Sequence, residues 1–203
     1  ASLKCISCQD PLKQCDNSES VDCKADEEFC LSFTAHIPIM GRINKSFKSC
    51  ASSNVCQPGN YSLTTKDSKH FQSIVTCCNT DHCNNDTLQV PPSTNKARNG
   101  NRCPVCFSMG SDSCQTEELI DCIGEETQCI SFSASVKLSA SLLPLSLRGA
   151  LQGCATPNLC ASPALPPELS KNGIEVNITL LQCSSGTSAA TTLTDSTTLP
   201  LPG

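Results

Sequence analysis

The sequence predicts an all-β, disulfide-rich protein made of two tandem copies of one small domain, and three observations predict it. There are 18 cysteines among 203 residues, with no Trp, one Tyr and six Phe. Large apolar side chains are too few for an ordinary core, so cross-links must supply much of the stability. The cysteines also repeat. Cys5, Cys8, Cys15, Cys23 and Cys30 recur at nearly constant offset as Cys103, Cys106, Cys114, Cys122 and Cys129, and Cys50, Cys56 and Cys77 recur as Cys154, Cys160 and Cys183; such self-similarity marks a duplication. Finally, the stretches between cysteines alternate apolar and polar residues with the period of a strand.

In the first copy, Leu31, Phe33, Ala35 and Ile37 alternate with Ser32, Thr34 and His36, as expected for a strand with one covered face. Pro38 and Gly41 punctuate a turn, and Arg42 to Ser49 returns as the partner strand. A further strand runs through Ser73 to Thr76 into the run CCNTDHCN, Cys77 to Asn84. Adjacent cysteines on a strand point to opposite faces, so Cys77 and Cys78 need different partners. Cys83 lies within short loop range of Cys78, and Asn84 has both a donor and an acceptor with which to stitch neighbouring strands.

Residues 87–100 carry Pro91-Pro92 and then polar residues, a stiff and unburied linker between a first domain at 1–86 and a second at 101–183. The second copy repeats the hairpin with Ile130, Phe132, Ala134, Val136 and Leu138 on one face, a return strand from Leu145 to Gly153, and a last strand from Val176 to Gln182. From 184 to 203 the chain reads SSGTSAATTLTDSTTLPLPG, a Ser/Thr-rich flexible tail that cannot pack a core.

Composition narrows the function. A formal charge of -5 without any dense Lys/Arg run argues against nucleic acid or an anionic membrane surface as the main partner. An even cysteine count and four sequons, at Asn44, Asn60, Asn85 and Asn177, point to a secreted or cell-surface glycoprotein. No leader-like stretch stands at Ala1 and no run of about 18 apolar residues is present to span a bilayer, so a processed chain and an untethered one both fit. The pairs Cys5/Cys8 and Cys103/Cys106 have zinc-knuckle spacing, but a thiolate site needs two more ligands and a reducing compartment. A redox pair would open a helix, and no helical pattern follows either one. The three histidines, His36, His70 and His82, are far apart in sequence and read as solvated loop residues. Asp26, Glu27, Glu28, Glu117, Glu118, Glu125 and Glu126 lack the spacing of a Ca²⁺ loop and read as solvated charge. No enzyme signature, metal site or cofactor is expected.

One apolar cluster stands out. Leu142, Leu143, Pro144, Leu145 and Leu147, with Arg148 at the edge, fall at the tip of the second copy's long hairpin. They either face a partner or pack against the neighbouring domain, because exposure is not legible in sequence. Ile39 and Met40 form a smaller version in the first copy, where glycans at Asn44 and Asn60 would mask part of that side.

Taken together, C-I-S-C at Cys5 to Cys8, the spacings through Cys15, Cys23 and Cys30, and CCNTDHCN resemble the lymphocyte-antigen-6/urokinase-receptor (LU) family. That resemblance implies two three-finger folds, each with three β-hairpin loops projecting from a disulfide knot. It implies bridges Cys5–Cys30, Cys8–Cys15, Cys23–Cys50, Cys56–Cys77 and Cys78–Cys83 in the first domain. In the second it implies Cys103–Cys129, Cys106–Cys114, Cys122–Cys154 and Cys160–Cys183. Spacing alone does not select this connectivity. After Cys183 the family's adjacent cysteine and closing Cys-Asn are absent, so the second domain lacks the last bridge. A shortened second copy, RNGNRCPVC and LQGCATPNLC (Leu151 to Cys160) are similar to the gamma-type phospholipase A2 inhibitors. The function implied is non-enzymatic: steric blocking of a secretory phospholipase A2. The alternative is a GPI-anchored adhesion or receptor-like protein whose Ser/Thr stalk leads to the anchor and whose partner is another surface protein or a microbe.

Overall fold

A computed structural model of the chain describes residues 2–8, 15, 18–38, 43–86, 89–90, 95–140, 143–161 and 174–188, without the side chains at 43–45, 138–140, 143–145, 174, 176 and 188. The first copy is three antiparallel hairpins. β1 (Lys4–Ser7) pairs with β2 (Glu19–Asp22), β3 (Phe29–Ile37) with β4 (Ile43–Ala51), and β5 (Gly59–Thr65) with β6 (Lys69–Cys78). In the second copy β7 (Arg98–Met109) pairs with β8 (Glu118–Ile123) and β9 (Gln128–Ala140) with β10 (Leu143–Ala155). A short helix, α1 (Pro157–Ala161), follows; β11 (Ile174–Ser185) then pairs with β9, and β12 (Thr187–Ser188) returns to β7. These are two tandem three-finger domains.

The strands run further than the alternation alone assigns. β9 and β10 are 13 residues each, since cross-strand pairing carries the ladder past the last regularly apolar residue. For the same reason β7 begins at Arg98, inside the stretch expected as linker, and residues 184–185 and 187–188, expected as flexible tail, belong to β11 and β12. Composition read these segments as unable to bury anything, but a strand needs only a partner's backbone: Thr187 and Ser188 pair with Arg102 and Asn101. β3 also departs from expectation, because Ser32 and Thr34 are buried along with Leu31 and Ala35. It is an inner strand between β4 and β6, covered on both faces.

The centre of each domain is sulfur. Cys5, Cys23, Cys30 and Cys50 form one buried cluster, flanked by Leu3, Val21, Cys78 and Cys83; Cys103, Cys122, Cys129 and Cys154 form the other, flanked by Ile120. All 18 cysteines are paired, as Cys5–Cys30, Cys8–Cys15, Cys23–Cys50, Cys56–Cys77, Cys78–Cys83, Cys103–Cys129, Cys106–Cys114, Cys122–Cys154 and Cys160–Cys183. Their Cα atoms lie 5.3–6.1 Å apart, inside the range a bridge spans without backbone movement. No bridge joins one half to the other. Each contributes about 2–4 kcal/mol by restricting the unfolded chain, although neighbouring bridges do not simply add. The first domain adds an apolar cluster on its sheet, Leu31, Phe47 and Ala51 with Phe33, Val55 and Val75 around them.

Asn84 closes the first domain. Buried at 4% exposure, it accepts the Ile6 N–H at 2.9 Å through Oδ1 and donates through Nδ2 to Ile6 O at 2.8 Å and Leu31 O at 3.2 Å. One side chain thus ties the knot to β1 and β3. Just beyond it, the buried Lys48 donates through Nζ to the carbonyls of Asn85 and Asp86, both at 2.9 Å. Burial holds the Lys48 ammonium below its usual pKa, partly offset by Asp86. Replacing Asn84 by Ala removes the partner of three backbone groups, one buried and two partly buried, and we expect a loss of about 2–3 kcal/mol in equilibrium unfolding with all bridges intact. An unchanged unfolding midpoint would show that the side chain is dispensable.

Candidate binding surface

Register decides which side chains share a face. Directly opposed residues of an antiparallel pair project to the same side, and alternate residues along a strand repeat it. In the second domain Phe132, Ala134 and Val136 of β9 oppose Leu151, Gly149 and Leu147 of β10. Ile178 and Leu181 of β11 oppose Ala134 and Phe132, and Phe107 and Met109 of β7 oppose Leu151 and Gly149. One face of four strands is therefore apolar throughout. The other carries Ser131, Ser133, Ser135, Lys137, Arg148 and Gln152. Ile130, on this face opposite Gly153 and Cys183, is buried, but no apolar cluster like that of the first domain covers the rest among the described residues: Met109 is 53% exposed and Leu147 42%. In soluble proteins a contiguous outward apolar surface of this kind marks an interaction site.

The position of that face is fixed by a junction between the domains. β10 hydrogen-bonds β9 along one edge and divides the other, with Gly149–Gln152 paired to β7 and Gly153–Ala155 paired to β5 of the first domain. A single sheet consequently runs β11-β9-β10-β5-β6-β3-β4 through both domains. At the handover the fully buried Thr65 places Oγ1 2.6 Å from Gln152 O and 3.0 Å from Cys106 O, sharing its one proton between two carbonyls. Gly153 is required there, because a Cβ would collide with the backbone carbonyl of Thr64. Thr156 N–H donates to Ser62 O at 3.0 Å, and Asn158 Nδ2 donates to Asn60 O at 2.7 Å. Outside this seam Lys69 lies over the Phe107 ring, 5.3 Å from its centroid. Lys66 pairs with Glu117, whose hydrogen bond raises the Lys66 pKa above its usual value.

Glu126 is the anchor of the junction. It reaches from the second domain under the first, 1% exposed, and its Oε1 accepts from Ser62 Oγ at 2.9 Å and Thr64 Oγ1 at 3.0 Å, with His70 Nδ1 at 3.3 Å. The turn that carries it is built locally. Gly124 adopts φ +54°, and Asn99 Nδ2 donates to Gly124 O at 3.0 Å and Glu126 O at 2.9 Å. A cleft of about 260 Å³ opens beside it, lined by Asn60, Ser62, His70, Gln72, Ile74 and Glu126 among others.

Contrary to expectation, Glu126 is not solvated charge, and neither His36 nor His70 is a loop residue: His36 lies in β3, and His70 in β6, partly buried, with Thr64 Oγ1 2.8 Å from Nδ1. Local sequence could not reveal either, since Glu126 is separated from Ser62 by 64 residues. The other histidines are apart from this site, His36 in β3 and His82 beside Ser20 Oγ at 2.7 Å. The sulfurs of Cys5, Cys23 and Cys50, and those of Cys103, Cys122 and Cys154, lie within 4.8 Å of one another, but each is bonded to another sulfur and offers no thiolate for a metal. Of the apolar tip, Leu147 is on the exposed face; Leu143, Pro144 and Leu145 have their backbone in β10; Leu142, Ile39 and Met40 lie outside the described residues. Among the sequons, Asn85 and Asn177 are exposed, the first just past the knot and the second on β11, and Asn44 lies in β4. Asn60 is exposed at the cleft.

Substitutions at two positions separate junction from domain stability. Gly153→Ala should part β10 from β5 while leaving both sulfur cores intact, so small-angle scattering should show a larger radius of gyration with unchanged bridges; an unaltered profile would contradict the junction. Glu126→Ala leaves two buried hydroxyls without their acceptor and should cost about 2–3 kcal/mol in unfolding, whereas Glu126→Gln, which keeps a carbonyl oxygen, should cost less. Equal losses would mean that the acceptor is unimportant.

Comparison with known proteins agrees with this architecture. A family described as "Snake toxin and toxin-like protein" matches residues 3–84, and the u-PAR/Ly-6 domain matches residues 99–191. The chain is 33% identical over 164 residues to a gamma-type phospholipase A2 inhibitor of Laticauda semifasciata, covering 78% of this chain and 84% of that protein. It is 30% identical over 162 residues to "Phospholipase A2 inhibitor NAI" of Notechis ater, covering 78% and 76%. The crystal structure of mouse TEX101 aligns over 91% of this chain and 97% of its own at 18% identity, with a TM-score of 0.37. With two three-finger domains, one family match in each half, and a relative one-third identical across both, the chain belongs to the two-domain u-PAR/Ly-6 family that includes the gamma-type phospholipase A2 inhibitors.

Proposed function

We propose that the chain is an extracellular inhibitor that covers the surface of a secretory phospholipase A2, with the apolar face of the second domain as its contact. The observation that carries this reading is the outward exposure of Leu147 and Met109 on a face continued by Val136, Phe132 and Ile178. A few residues near the centre of a patch carry most of the affinity in protein interfaces. The names of the relatives supply the enzyme class. Inhibition is steric: the rigid junction presents β7, β9, β10 and β11 as one plate, and an enzyme that works at a lipid surface loses access when that plate sits on it.

A second reading keeps the same face but places the chain on a cell surface, where it binds another surface protein or a microbe. The Ser/Thr-rich stretch at 189–203 favours it, since such a stalk commonly precedes a lipid anchor. A hydrophobic extension encoded beyond Gly203 would support tethering.

The test is titration of the purified, oxidised chain against a panel of secretory phospholipases A2. Stoichiometric inhibition is expected, and Leu147→Glu combined with Met109→Glu should weaken it about tenfold or more. Both side chains are about half exposed and neither belongs to a buried cluster, so the double variant should keep its unfolding midpoint to within a few degrees. No binding to any of the panel at micromolar concentration would remove the phospholipase reading, and full inhibition by the double variant would move the contact elsewhere.

A further inference from the structure

We propose that Asn60 carries an N-linked oligosaccharide whose first sugar sits in the interdomain cleft, so that a covalent carbohydrate closes the junction between the domains. Asn60, Ser62 and Thr64 alternate along β5 and project to one side, and Ser62 and Thr64 on that side reach Glu126 of the second domain. Opposite them on β6 stand Ile74, Gln72 and His70 in register. All except Thr64 line the cleft of about 260 Å³, many times the ~30 Å³ of one water in the liquid, which is room for a pyranose ring.

Asn60 is exposed at this cleft, while its carbonyl is held by Asn158 of the second domain. A sugar on Asn60 Nδ2 therefore starts between the domains. Within the cleft lining Glu126 Oε2 and His70 Nε2 are buried without a hydrogen-bonding partner among the described residues, so two polar atoms await hydroxyl groups beside an apolar wall of Ile74, Val90 and Ile123, the mixed lining that suits the polar rim and apolar face of a sugar ring.

The geometry also orders events. The sequon Asn60-Tyr61-Ser62 is read through its hydroxyl, yet in the folded chain Ser62 Oγ is committed to Glu126. Attachment must precede docking of the second domain. In that step Asn60 Nδ2 bonds to C1 of a lipid-diphosphate-linked oligosaccharide, the C1–O bond to the diphosphate breaks, the amide gives up one proton, and the lipid diphosphate leaves. The domains then close around the attached sugar.

The full chain, secreted from glycosylating cells, tests this. Glycan release by an amidase in isotopically heavy water, followed by peptide mass mapping, reports occupancy and release rate at each sequon. Asn60 should be occupied, and its glycan should leave the folded chain about tenfold more slowly than the denatured, still oxidised chain. Gly153→Ala, which opens the junction, should abolish most of that difference. An unoccupied Asn60, equal release from folded and denatured chains, or protection that persists unchanged in Gly153→Ala would each overturn the proposal.

Discussion

The constraint on which the rest of this structure depends is that its two cores are made of cystine. In an ordinary small domain the apolar face of a sheet is consumed in covering a core, because burial of aliphatic surface is what opposes chain entropy. Here four buried cysteines occupy the centre of each domain, and the bridges lower the entropy of the unfolded chain instead. Much of the apolar surface of β9, β10 and β11 is thereby released from structural duty, although Ile130, Ala150 and Ala155 remain buried. The two domains use this freedom differently: the first folds Leu31, Phe47 and Ala51 into a second buried cluster, while the second turns Leu147 and Met109 outward.

A face of this kind is useful only if held at a defined angle, and the junction supplies that rigidity. Sharing one edge of β10 between β7 and β5 makes the domains parts of one sheet, and side chains complete the seam where ladder hydrogen bonds change partner. Thr65 satisfies carbonyls at the handover and Glu126 collects hydroxyls from β5. Breaking a buried polar set of this sort costs more than forming it contributes, since a stranded group keeps its full desolvation penalty. Opening the junction therefore strands several buried polar groups at once, which opposes separation of the domains.

Much of the domain architecture was legible in the residues. Cysteine spacing exposed the duplication, period-two alternation located β3 and β9, and the paired donor and acceptor of Asn84 suggested that it stitches neighbouring strands, which proved to be at Ile6 and Leu31. What the sequence concealed lies between the domains. Glu126 looked like solvated charge because an exposed acidic run and a buried anchor read alike locally; only the fold brings it to Ser62 and Thr64. β12 and the start of β7 were hidden for a related reason, as polar residues such as Thr187 and Arg102 join a ladder through their backbone and leave no apolar trace. The apolar face was half visible: the leucines were conspicuous, but whether they packed inward depended on contacts that no pattern encodes.

The central claim is that the apolar face of the second domain is surface and not core. Hydroxyl-radical footprinting of the oxidised, unliganded chain tests it most directly. Met109 and Leu147 should be modified at rates close to those in the denatured chain, while Leu31, buried against Phe47, should be protected. Protection of Met109 and Leu147 equal to that of Leu31 would mean that another part of the chain covers the face, and the account would fail.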